Sequence, residues 1–195
     1  MRAVQRSQIL SYDQYDKLRP LLRPLFIAEK ERRRLAVGAH LTLLFENAQT
    51  VWYQVQEMLR TERIAADEGI AHELDTYNEL LPGPNELAAT LLIEFTDTAQ
   101  RDENLRKLVG LENHFFLVIG ERRHKARFDL RQMDTERVSS VQFVRFPIGG
   151  IDVQDFGAKA AEGHVAVEVT HPEMLVRAPI GGALAASLAE DLAQN

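Results

Sequence analysis

A change of hydrophobic period near residue 82 constrains this chain more than any single motif. Before it, Val51, Val55, Met58 and Leu59 recur at helical spacing, and Ile70, Leu74, Tyr77 and Leu81 repeat the pattern. Pro82-Gly83-Pro84-Asn85 then stops helix formation, because proline lacks an amide donor and glycine favours turns. After it, Val165, Val167 and Val169 alternate with Ala166 and Glu168, the period of a strand with one face buried. The consequence is an α+β fold: a helical hairpin and flanking helices packed on a mainly antiparallel sheet or partly closed barrel. No composition break marks a linker, so residues 1–195 are expected to form one domain.

Locally, Ser11 with Gln14 forms a capping box, and Pro20 and Pro24 should kink or break the helix it opens. Helix is expected again from Leu25 to Leu35, ending near Gly38. His40–Glu46 reads as a strand, and Asn47 can cap the helix running to Arg63. A second helix covers Ala66–Leu81. Strands are expected at Ala89–Phe95, His114–Gly120, Lys125–Leu130, Ser139–Phe146 and His164–Thr170. Short helices are expected at Arg101–Val109 and Leu184–Leu192, with Gly149-Gly150 a turn.

The chain contains no cysteine, which removes disulfides, thiolate metal sites and cysteine nucleophiles. Its net charge of -6 opposes phosphate, so nucleic acid is not an expected partner. The mixed run Lys30-Glu31-Arg32-Arg33-Arg34 reads as a solvated helix face or a set of ion-pair partners. No apolar run is long enough to cross a bilayer, so a membrane partner is not expected and a cytoplasmic location is. His72-Glu73 opens like a zincin, but position 76 is threonine where the second histidine is needed. Glu68, His72, Asp75 and Glu79 form an acidic stripe that leaves Glu68 and His72 as a weak metal alternative on a solvent face. The remaining histidines form no His-x-His pair, and no phosphate-cradling loop or serine nucleophile elbow is present.

Helical phase turns Glu62 toward the face of Val51, Val55 and Met58, where a carboxylate needs a donor or an escape to solvent. Pairing with Arg32 or Arg33 would meet that need; fraying of the helix end is the alternative. Gln54, Gln56, Glu57 and Arg60 lie off the apolar centre, free for a partner or for solvent. Trp52 and Tyr53 flank the stripe, which suggests a homo-oligomer because adjacent aromatics cannot share one burial direction.

Lys30 with Arg33, Arg34 and Gly38, the run FENAQTVWYQVQEMLRTERI from Phe45, Glu73 with Tyr77-Asn78, Pro82 and the run ELAATLLIEF from Glu86 resemble the bacterial domain-of-unknown-function family numbered 3501. The likeness extends through His171-Pro172 to Leu188–Leu192. The resemblance implies no established reaction, cofactor or catalytic residue. It does imply association with rubrerythrin-like and iron–sulfur oxidoreductase proteins, hence an accessory role in redox or iron-related metabolism. A candidate polar cluster follows: Arg33, Arg34, Gln56, Glu57, Arg60, Glu62, Glu73, Tyr77 and Asn78. The expected function is a non-catalytic protein that binds a protein partner or a small ligand. The alternative is a carboxylate-based enzyme, with Glu57, Glu62 and Glu73 as acid–base groups, or a metal-binding protein.

Overall fold

The computed structural model describes residues 2–129, 131 and 135–194. Six α-helices and nine strands run in the order α1 (Tyr12–Arg32), β1 (Arg34–Val37), β2 (Leu41–Phe45), α2 (Ala48–Thr61), α3 (Asp67–Asn78), β3 (Glu86–Ile93), α4 (Thr98–Lys107), β4 (Phe115–Ile119), β5 (Arg122–Lys125), β6 (Arg127–Phe128), β7 (Val141–Pro147), α5 (Gly150–Ala161), β8 (Val165–His171), β9 (Met174–Pro179) and α6 (Gly182–Gln194). The strands form two antiparallel sheets, ordered β1-β2-β3-β7-β6 and β5-β4-β8-β9. The α+β expectation holds, with two open sheets in place of a barrel.

One core lies between the sheets. Leu43, Leu91, Phe146, Phe115 and Val167 meet Phe156 of α5 and Leu188 of α6 in it. A second cluster joins α2 to α3 through Val51, Val55, Leu59, Ile70 and Leu74, with Tyr77 packed against it. The predicted helical hairpin therefore forms through the predicted residues. All five residues of β2 are buried, so both faces of this strand are covered. That is why Thr42 and Leu44 are buried along with Leu41 and Leu43.

Pro20 and Pro24 do not break α1, which runs through both. They lie one turn apart on the solvent side, opposite Tyr15, Arg19 and Phe26, so their rings meet no neighbouring helix. Residues expected to stay helical through Leu35 instead turn at Arg33 into β1. Gly38 joins β1 to β2 at φ +70, and a Cβ there would lie 3.2 Å from Val176. Two elements ran against expectation later in the chain. Gly149 and Gly150 open α5, and the strand expected over Lys125–Leu130 divides at Ala126 between the two sheets. Leu130, its expected last residue, lies outside the described residues.

Candidate functional site

Asn47 builds the start of α2. Its side chain accepts from the Gln49 and Thr50 amides, and the Thr50 hydroxyl accepts from the Asn47 amide at 3.0 Å. The Asn47 side-chain Nδ2 also donates to Glu29 of α1 at 3.2 Å. The end of α2 is equally defined. Arg63 is left-handed at φ 55, the Ile64 N–H donates to Leu59 O at 2.9 Å, and Ile64 packs on the α2–α3 cluster. This turn leads the chain out of the helix before Glu62 can enter the core. Glu62 caps the helix from an exposed position and does not pair with Arg32 or Arg33, contrary to that expectation.

Trp52, Gln56, Glu57 and Arg60 of α2 and Asn78 of α3 fasten the N-terminal segment and the start of α1. Gln56 is buried, accepts from the Leu10 N–H at 2.8 Å and donates to Leu10 O at 3.4 Å. Asn78 does the same for Val4, accepting at 2.8 Å and donating at 3.0 Å. Each amide side chain thus pairs with both the N–H and the C=O of one residue, as a neighbouring strand would. The Trp52 indole donates to Gln8 O at 2.9 Å between these two clasps. Glu57 binds α1: the Tyr15 hydroxyl donates at 2.6 Å, and Arg19 forks onto both oxygens at 2.8 and 2.9 Å. Arg19 holds the Glu57 carboxyl below its ordinary range, with Tyr15 adding to the effect against partial burial. Burial, followed by the hydrogen bond to Glu57, pushes the Tyr15 phenol well above its usual value. Arg60 pairs with Asp16 at 2.7 Å.

Arg33 is the largest fully buried side chain. Its guanidinium donates to Phe45 O at 2.8 Å, Ser187 at 2.5 Å, Glu46 O at 3.3 Å and Asp191. Burial raises the Asp191 carboxyl above the usual range, while Arg33 pulls it back. Arg34 is exposed and pairs loosely with Glu31 at 3.6 Å. Glu73 and Tyr77 are half-buried on α3, away from Arg33. The nine candidates therefore do not converge in one cleft. Gln56 and Arg60 share a cavity of about 260 Å³ with Tyr15 and Ser11. Glu68 and His72 face solvent, and no three His, Asp or Glu side chains converge to hold a metal among the described residues. Tyr53 is buried and stacks on Phe26 at 4.8 Å, with Trp52 on the same ring at 5.3 Å. Both aromatics are accommodated inside the chain, so they supply no reason for self-association.

The clasped N-terminal segment, α1 and α2 border a groove of about 800 Å³, with Trp52 and Phe26 on its wall and Arg2, Gln5, Gln8, Gln49 and Gln194 around it. Arg2, Gln49 and Gln194 are exposed and have no side-chain partner among the described residues. Sequence reasoning missed this groove, since only Trp52 within it stood out. His124, set aside in the sequence with the other isolated histidines, has its Nε2 3.1 Å from Asp152 Oδ2 without hydrogen-bond geometry, both side chains being largely buried. Asp152 belongs to α5, a helix the glycine pair concealed.

A two-sheet α+β protein with a helical layer and an N-terminal clasp is the class these features define. The chain belongs to the family described as protein of unknown function (DUF3501), whose model matches residues 3–192. A crystal structure of a novel protein of unknown function from Burkholderia pseudomallei K96243 is similar at 37% identity and TM-score 0.87, covering 98% of this chain and 100% of that one. No curated protein matches. No helix among the described residues is long and apolar enough to cross a membrane.

Proposed function

We propose that this is a non-catalytic binding protein that takes an extended peptide segment of a partner protein in the groove beside Trp52. The groove itself is the observation that carries this reading. Its aromatic wall can take an apolar side chain, and Gln49 and Gln194, whose side chains are unengaged among the described residues, offer paired donors and acceptors that suit a peptide backbone. Arg2, unpaired at the rim, suits a terminal carboxylate. The family resemblance alone supplies a redox or iron-related setting for the partner.

Trp52 is the sole tryptophan, so its emission reports on the groove without interference. Titration of the full chain with a library of tetrapeptides bearing an apolar residue and a free C-terminus should give saturable emission shifts. Arg2→Ala should weaken the binders about tenfold, the loss of one charge-assisted contact. Unchanged emission up to millimolar peptide would overturn the reading, and a response to small amphiphiles alone would replace the peptide with a small ligand. The carboxylate-enzyme alternative has one supporting observation, the close His124–Asp152 pair, which borders a cavity of about 720 Å³ through His124. Turnover found in a hydrolase substrate screen and abolished by Asp152→Asn would favour it; turnover indifferent to that change would remove it.

A further inference from the structure

Helix α1 buries one face and leaves another uncovered. Tyr15, Arg19, Phe26 and Arg33 turn toward α2 and α6. Along its flank run Gln14, Leu18, Leu21, Leu25, Ala28 and Arg32, all exposed, separated by alternating steps of four and three residues. Leu21 is 70% exposed and Leu25 67%, the most open large apolar side chains of the protein after Leu175. Alternating steps of this kind are the seam of a two-helix coil.

We propose that this seam is the contact surface for a second copy of the chain, with the two α1 helices antiparallel about a twofold axis. An antiparallel pairing sets Leu21 opposite Leu25 of the copy and Leu18 opposite Ala28, so the apolar stripe complements itself. Charge selects the direction. Lys17 and Glu31 flank the stripe on one side at opposite ends, with Pro24 midway between them. The antiparallel arrangement brings Lys17 beside Glu31 of the copy twice, whereas a parallel one would set this flank against Leu22 and Glu29 of the copy and leave Lys17 unpaired. Lys17 has no ion-pair partner among the described residues, and the exposed Glu31–Arg34 contact of 3.6 Å is loose enough to exchange. One 21-residue helix per copy gives a contact near the ~1,000 Å² low end of specific interfaces. Dimerisation should accordingly be reversible, with a dissociation constant on the order of 10–100 µM.

Sedimentation velocity on the full chain, from low micromolar to near-millimolar concentration in low salt, tests this. The parent should pass from monomer to dimer. Leu21→Glu should weaken association at least about 100-fold and leave the melting temperature unchanged at low micromolar concentration, where both proteins are monomers and the side chain is in solvent. Lys17→Glu or Glu31→Lys alone should weaken it several-fold, and the two together should restore it. A monomer throughout, a dimer indifferent to Leu21→Glu, or a double charge exchange that fails to restore association would each overturn the proposal.

Discussion

Arg33 carries a full charge into a site that is 1% exposed, and every group around it is arranged to compensate. Two backbone carbonyls at the end of β2, a hydroxyl and a carboxylate of α6 all receive its donors. Taking an ion out of water costs several kcal/mol, so such a site is most sensitive to loss of its counter-charge. Asp191→Ala should destabilise the protein by about 3–5 kcal/mol, read as a loss of chemical-denaturation free energy. Asp191→Asn should cost less, because an acceptor remains and the raised carboxyl no longer has to ionise in the interior. Equal melting of Asp191→Ala and parent would show that Arg33 is solvated. The sequence offers Arg33 as a partner for Glu62 or as one of a solvated or ion-pairing run; the structure buries it and pairs it with Asp191 instead. The partner was illegible: Asp191 is 158 residues away, beyond any local pattern. Helical phase alone turns Glu62 toward the core. Phase assumes that the helix continues, and the left-handed turn at Arg63 ends that assumption at the residue that mattered.

Among elements, α1 and α2 are joined by the forked Arg19–Glu57 pair, the Tyr15 hydroxyl bond and the Arg60–Asp16 pair. Glu57 binds protons less readily folded than unfolded. Its stabilising effect is therefore full above the ordinary glutamate value near ~4.3 and is lost as pH falls through its lower folded value. The parent should lose stability on this acid limb, and Glu57→Gln should be less stable at neutral pH with a flatter limb. Parallel limbs for the two proteins, followed by thermal melting at several pH values, would contradict this. Strong periodicity made α2, α3 and β8 legible, since packing and pattern agree in them. Position decided the errors elsewhere. Two prolines read as helix breakers are harmless where they face solvent, and a glycine pair read as a turn begins α5.

For the molecule as a whole, the polar residues that most resemble a functional site are engaged in holding the fold. Gln56 and Asn78 clasp Leu10 and Val4, and the segment they hold forms one wall of the Trp52 groove. The sequence marked these residues without showing what they hold, because both partners are backbone groups. The proposed peptide site needs this wall, and the wall needs the clasp. Amide hydrogen exchange at Val4 and Leu10 tests it directly. In the parent both amides should exchange at least about 100-fold more slowly than in an unstructured chain, although they lie outside any helix or strand. Asn78→Leu should release Val4, and Gln56→Leu should release Leu10, while the cores of α2 and β8 stay protected. Fast exchange at both amides in the parent would contradict the clasp and the groove it builds.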